Sequence, residues 1–297
     1  MRRCRAWAAL ILALACAHRP PPSLHTTQLV VRREGGAVVP YVRAFVAGHP
    51  LILVLDTGAD RSILPFGFVQ KYKVPIMSTT ANPWMVDING TVLSMPRASG
   101  VTVQFPGDTT FDTVDFLVNT ADESEIRGIL AGQDLVRSGW AMVVDLEHDE
   151  LRYEPEEIAL ERLGGRDSLT KLEYRSCEFD NRRIIPVTIN GVRSSLMIDT
   201  GASRTSLTRN NEAIPTMRSM IGKREANTGV MSSGHELLVN GVAIDFAKTS
   251  FVVSASVLPG AAYCGRGLLG ADVLDSCVMV WGSKSLWVSC RAPARRD

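Results

Sequence analysis

Charge of one sign is what this chain most lacks. Its 32 Lys and Arg stand against 31 Asp and Glu over 297 residues, a formal net charge of +1. Bulk electrostatics therefore point neither to nucleic acid nor to an acidic substrate. Histidine is scarce, and the five residues (His18, His25, His49, His148 and His235) share no motif. No Gly-x-Ser-x-Gly elbow accompanies them, so a Ser or Cys hydrolase is poorly supported. The six cysteines include no Cys-x-x-Cys pair, and no His cluster stands beside them. That leaves zinc without a ligand pattern; no metal and no cofactor are expected. Helical periodicity is sparse too. Residues 155–163 are the best candidate, with Pro155 at the start and Gly164-Gly165 as a stop.

What the chain has in quantity is short β-runs between Gly, Asn and Pro turns. They include residues 28–31, 38–46, 100–105, 113–118, 184–189, 237–244 and 250–253. A length of 297 residues with 45% hydrophobic and 21% charged content fits a globular body of two ordinary domains.

The N-terminus reads as a targeting segment. Residues 1–5 are basic, and residues 6–14 are apolar but too short to span a bilayer comfortably. Ala13-Leu14-Ala15 then forms an Ala-x-Ala cleavage signal directly before Cys16. This resembles a bacterial lipoprotein signal, in which that Cys would carry lipid, although Ala13 and Leu14 stand in the reverse of the usual order. The expected result is an exported protein, periplasmic or at the outer membrane, otherwise secreted. Residues 16–27, with Pro20-Pro21-Pro22, would be a stiff spacer. Export implies an oxidising setting for Cys177, Cys264, Cys277 and Cys290, which allow three pairings. Cys277 and Cys290 flank a hairpin near Ser283-Lys284, which leaves Cys177 with Cys264; free buried thiols are the alternative.

The most informative feature is a word that occurs twice. Asp56-Thr57-Gly58-Ala59 and Asp199-Thr200-Gly201-Ala202 each end an apolar run, residues 51–55 and 196–198. A Gly stands eight residues before each Asp, at Gly48 and Gly191, and reads as the turn of a hairpin feeding that strand. Downstream, the segment from Leu130 through Gly132 to Val136 aligns without gaps on the segment from Leu268 through Gly270 to Leu274. The two Asp lie 143 residues apart and the two Gly 138, so one domain-sized unit is duplicated with small indels. The expected layout is lobe one at 28–155, a linker with a short helix at 156–171, lobe two at 172–291 and a basic tail at 292–297. Asp134 and Asp272 read as helix-capping residues.

The pattern of an apolar pair, Asp-Thr-Gly-Ala, and about 70 residues later an apolar pair and Gly, resembles the retropepsin-like aspartic peptidases. The resemblance covers nearly all of the chain after the leader, once per lobe. It implies a mostly β fold: two homologous acid-protease β-barrel lobes in one chain, with short helices. It also implies that Asp56 and Asp199 face each other, share a proton and activate a water for peptide hydrolysis. Thr57 and Thr200 would bond across the lobes, while Gly58, Ala59, Gly201 and Ala202 complete the loops. Leu130, Gly132, Leu269 and Gly270 would pack beneath them. Retropepsin lobes carry a hairpin flap; Trp84, Asn89 and Gly90 mark the candidate in lobe one, and Gly229 and Met231 that in lobe two. Pepsin-like enzymes typically have Ser or Thr where Ala59 and Ala202 stand. Without that hydroxyl donor the dyad should titrate higher. The expected substrate is an extended peptide or protein, cut by a monomer with both half-sites in cis. The competing reading is an inactive peptide-binding protein that uses the same cleft.

Overall fold

The computed structural model describes residues 25–77, 84–86, 92–108, 112–177, 182–208, 211–216, 230–233, 237–239, 242–244, 250–253 and 265–290. Lobe one contains strands β1 (His25–Glu34), β2 (Ala37–Val46), β3 (His49–Leu55), β4 (Ser62–Pro65), β5 (Trp84–Val86), β6 (Val92–Ser94), β7 (Arg97–Gln104), β8 (Asp112–Asn119), β9 (Arg127–Leu130), β10 (Trp140–Asp145) and β11 (Glu150–Pro155). After the helix Glu156–Arg162 come β12 (Thr170–Lys171), β13 (Arg175–Ser176), β14 (Arg183–Ile189), β15 (Val192–Ile198), β16 (Ser206–Leu207), β17 (Val230–Ser233), β18 (Leu237–Val239), β19 (Val242–Ile244), β20 (Ser250–Val253), β21 (Gly267–Leu269), β22 (Cys277–Gly282) and β23 (Leu286–Cys290).

In lobe one the strands close on themselves in the order β2-β3-β9-β4-β8-β7, with β7 pairing back onto β2. The closed ring leaves no free edge among those strands. Alternate residues of β2 and β3 turn inward, so Val42, Ala44, Val46, Leu51, Leu53 and Leu55 fill the barrel. Lobe two repeats the core of this order as β14-β15-β21-β16-β20. The parallel contacts fall at matching places: β3 with β9 and β4 with β8, then β15 with β21 and β16 with β20. The hairpin turns read from sequence match as well. Ala47-Gly48 has φ of 49° and 79°, and Asn190-Gly191 has 49° and 78°, the left-handed pair that a two-residue hairpin requires.

The lobes meet in one antiparallel sheet ordered β12-β23-β22-β10-β11-β1. Its centre is the pairing of β10 with β22, where Val143 faces Val280, and the two halves are related by an approximate two-fold. These central strands read as unbroken apolar runs because both faces are covered. Met142 and Met279 face the main core, while Ala141, Val143 and Val280 pack under Ala159 and Leu160 of the helix Glu156–Arg162. That helix is the one expected near Pro155.

Two details differ from the sequence reading. Residues 237–244 are two antiparallel strands, β18 and β19, with Leu237 paired to Ile244. Asn240-Gly241 inside that run is a tight-turn word that the apolar pattern hid. Asp134 and Asp272 are also not N-caps, for the turns they sit in begin after Ala131 and Gly270. Their carboxylates have another use, described below. Cys277 and Cys290 are disulfide-bonded across paired strands. Cys177 is also disulfide-bonded, whereas Cys264 and Cys16 lie outside the described residues.

Candidate active site

Each Asp-Thr-Gly-Ala loop is held where a strand ends. β3 lies parallel to β9 with Leu55 level with Leu130, and the Asp56 amide donates to the Leu130 carbonyl at 2.9 Å. In lobe two Ile198 is level with Leu269, and the Asp199 amide donates to the Leu269 carbonyl at 3.0 Å. The Leu130 and Leu269 carbonyls thus each hold the amide that opens a loop. Gly132 is required because a Cβ there would sit 2.3 Å from Met142 Sδ; at Gly270 it would sit 2.5 Å from the Arg204 carbonyl carbon.

The loops bring Asp56 and Asp199 together, with Gly58 set against the Asp199 carboxyl and Gly201 against that of Asp56. Asp56 Oδ1 accepts from the amides of Gly58 and Ala59, both at 2.8 Å, and Asp199 Oδ1 accepts from Ala202 at 2.9 Å. Thr57 and Thr200 interlock across the two-fold. Each amide donates to the other's Oγ1 at 3.1 Å. The Thr57 hydroxyl donates to the Ile198 carbonyl at 3.2 Å, and that of Thr200 to the Leu55 carbonyl at 2.6 Å. Both Thr are fully buried, so four polar groups at the lobe junction are satisfied only by the opposite lobe.

A second layer lies behind the loops, and the sequence reading missed it. Asp134 accepts from the amide and hydroxyl of Ser62 at 3.1 and 2.9 Å, and the Ser62 hydroxyl accepts from the Ala131 amide at 3.0 Å. Asp272 accepts from the amide and hydroxyl of Thr205, both at 2.8 Å, and Thr205 Oγ1 accepts from the Gly270 amide at 3.0 Å. Ser62 and Thr205 each stand six residues after the Asp of an Asp-Thr-Gly-Ala loop, each preceded by Arg, so the repeat did contain a signal. The loops differ at one support. Gln133 donates from its side chain to the Ala59 carbonyl at 2.5 Å, where lobe two uses the Ala271 amide on the Ala202 carbonyl at 2.8 Å.

Burial sets the electrostatics. It pushes Asp56 well above the ordinary carboxylate range, the charge of Asp199 pushes further, and the Ala59 and Gly58 amides pull back. Burial raises Asp199 too, against the pull of its hydrogen bond from Asp56, the Ala202 and Gly201 amides and the positive charge of Arg182. Two close carboxyls that share one proton present an acid and a base side by side. Burial also raises Asp134, and it lifts Asp272 to about 6. Among the described residues no group of three or more His, Cys, Asp or Glu is placed to hold a metal ion.

The flap candidates fare differently. Trp84 lies in β5, which pairs with β6 from Trp84–Ser94 to Val86–Val92, while Asn89 and Gly90 between them lie outside the described residues. Met231 lies in β17, paired with Val252 of β20, so its strand belongs to the main sheet of lobe two. Gly229 lies outside the described residues. The eight-residue segment expected to fold on itself holds only Thr228 and Val230 as strong strand formers, and Val230–Ser233 pairs instead with the apolar run at β20.

No protein-family model matches the chain, and no curated protein is similar to it in sequence. Solved structures are similar in three dimensions. An aspartic proteinase from Irpex lacteus superposes with a TM-score of 0.53 at 12% identity, over 91% of this chain and 98% of the other. Basic 7S globulin from soybean superposes with a TM-score of 0.57 at 9% identity, over 92% and 96%. At such identities the likeness is one of architecture: the chain is mostly β and has an aspartic-protease-like fold.

Proposed function

We propose that the chain is an aspartic endopeptidase of the retropepsin-like kind, with two lobes fused in one chain and one catalytic Asp from each. The observation that supports this best is the setting of Asp56 and Asp199, each carboxyl against the glycine of the other loop, with backbone amides on both carboxyls and interlocked Thr57 and Thr200 holding the loops in register. A pure binding protein gains nothing from two buried carboxyls that repel when both ionise. In the reaction, the ionised Asp takes a proton from a water as its oxygen attacks the scissile carbonyl. The protonated Asp donates to the carbonyl oxygen. Collapse of the tetrahedral species returns one proton to the leaving nitrogen and one to the dyad, with no covalent intermediate. The substrate lies extended between the lobes, covered from lobe one by the β5–β6 hairpin. Export, lipid on Cys16 and action as a monomer belong to the same proposal; Cys16→Ser should release the chain from the membrane fraction.

Binding of a peptide analogue tests the site without turnover. A peptide whose scissile amide is replaced by a secondary hydroxyl mimics the tetrahedral species. It should bind at least a hundredfold tighter than the parent peptide. That advantage should vanish in Asp56→Asn and in Asp199→Asn. Equal affinity for both peptides would favour a binding protein.

A further inference from the structure

The halves of the dyad stand in different surroundings, and the difference comes from the strand before each catalytic strand. β14 pairs with β15 as far as Ile184 opposite Met197, and Arg182 and Asp199 lie two residues beyond that last pair. In lobe one the corresponding ladder ends at Tyr41 opposite Val54, and Val39 and Asp56 lie two residues beyond it. Alternation along β14 then separates two neighbouring arginines. Arg183 goes to one side, stacked between Tyr174 at 4.4 Å and Trp281 at 4.3 Å and donating to the Gly282 and Ser285 carbonyls. Arg182 goes to the other, the side of Ile184, Met197 and Cys177, and its guanidinium donates to Cys177 Sγ at 3.6 Å. The duplicated loops are alike in Thr, Gly and Ala, so a cation at this place in lobe two and a valine at the corresponding place in lobe one is a large asymmetry.

We propose that Arg182 breaks the two-fold symmetry of the dyad, so that Asp199 carries its single negative charge and Asp56 its shared proton. The other charged groups near the loops act one layer back. Arg61 and Asp60 act on Asp134, and Arg204 acts on Asp272. The roles that follow rest on the peptidase reading. Asp199 is the base that deprotonates water, and Asp56 is the acid that protonates the carbonyl oxygen. Asp199 then gives its proton to the leaving nitrogen while Asp56 recovers one from the diol as the C–N bond breaks. Arg182 is a positioning residue that acts through Asp199.

The charge placement is measurable without turnover. The full chain, labelled with 13C at the aspartate carboxyls, is titrated by NMR as Asp56→Asn and as Asp199→Asn, each with and without Arg182→Gln. In the Asp56→Asn chain, Arg182→Gln should raise the Asp199 titration by roughly one unit, as expected for loss of a nearby Arg, and Arg182→Lys should restore it. In the Asp199→Asn chain, Arg182→Gln should move Asp56 by less than half as much. Amide spectra that match the parent show that each variant is folded, and Arg182→Lys retains the charge should Arg182→Gln misfold. An equal or larger shift at Asp56, or none at Asp199, overturns the proposal. Titrations in the stated order from a chain that cleaves no peptide would uphold the charge placement and count against the peptidase reading alone.

Discussion

Gly58 lies directly against Asp199: a Cβ on Gly58 would stand 2.3 Å from the Asp199 carboxyl carbon, and Gly201 has the same relation to Asp56. Each lobe thus supplies a carboxyl and the bare backbone against which the other lobe's carboxyl rests. Gly58→Ala or Gly201→Ala must push the dyad apart. Either change should lower peptide cleavage by a factor of about 100, as sub-ångström misplacement of reacting groups does. The stability cost should be only about 1–3 kcal/mol, as for other overpacking. Steady-state cleavage alongside urea unfolding checks both. Full activity in a folded Gly58→Ala chain would show that the carboxyls need not be this close.

Thr57 and Thr200 should behave as one unit. Thr57→Val removes a hydroxyl at nearly constant volume and leaves the Thr200 amide and the Ile198 carbonyl buried without partners. The expected cost is about 2–6 kcal/mol, from about 1–3 for each of the two stranded groups. Thr200→Val strands a different pair, the Thr57 amide and the Leu55 carbonyl, yet the double Thr57→Val, Thr200→Val chain should lose less than the sum of the single changes, since one broken interlock lets the junction relax around the other. Urea unfolding of the four chains gives the coupling, and strict additivity would contradict the interlock.

Stability should fall as pH rises from mildly acidic to neutral. Burial lifts Asp272 from the ordinary 3.8 to about 6. A raised carboxyl contributes stability below its unfolded value and loses it as pH climbs through its folded value. For Asp272 that window runs from about 4 to about 6 and is worth on the order of 1–3 kcal/mol, at 1.36 kcal/mol for each unit. Asp56, Asp199 and Asp134 shift in the same direction, while Asp112 and Asp115 shift the opposite way. Asp272→Asn should therefore flatten the loss of stability between pH 4 and pH 6.5. A chain steadily more stable toward pH 7, with Asp272→Asn no flatter, would contradict this.

Ala47 adopts a left-handed φ of 49° at a turn where the equivalent residue of lobe two is Asn190. Alanine has no side-chain polar group to ease that conformation, and Asn does. Ala47→Asn should stabilise the chain by about 0.5–1 kcal/mol. A thermal melt reads this as a small rise in Tm; a fall would mean that the first hairpin turn is not the left-handed pair.

Much of this site was legible in the sequence because it is local and written twice. The Asp-Thr-Gly-Ala loops, the Gly before each and the apolar pair with Gly after each all reappear as structure. What escaped notice depends on contacts between distant segments. Ser62 meets Asp134 across 72 residues and Thr205 meets Asp272 across 67, because β4 runs antiparallel to β9 and β16 to β21, which sets the start of one strand beside the end of the other. The carboxylates were therefore read as local caps. The place of Arg182, just past the end of the ladder that leads to Asp199, follows from strand pairing, which no motif encodes. The hairpin at β18 and β19 was passed over because its apolar residues form one near-continuous run, a pattern that fits one strand as well as two.

The pH optimum for cleavage should lie in the mildly acidic range, because Ala59 and Ala202 offer the carboxylates only their amides and burial holds both carboxyls high. A pH–rate profile on one peptide suffices. An optimum at or below about pH 3, where ordinary carboxyls are mostly protonated, would contradict the account.

The most direct measurement is peptide-bond cleavage by the full chain, against a mixed peptide library from acid to neutral pH, beside Asp56→Asn and Asp199→Asn. The account predicts internal cleavage of extended peptides by the parent and its loss in both variants, since neither carboxyl can do the work of two. Undiminished cleavage by either variant would contradict a mechanism that divides one proton between Asp56 and Asp199.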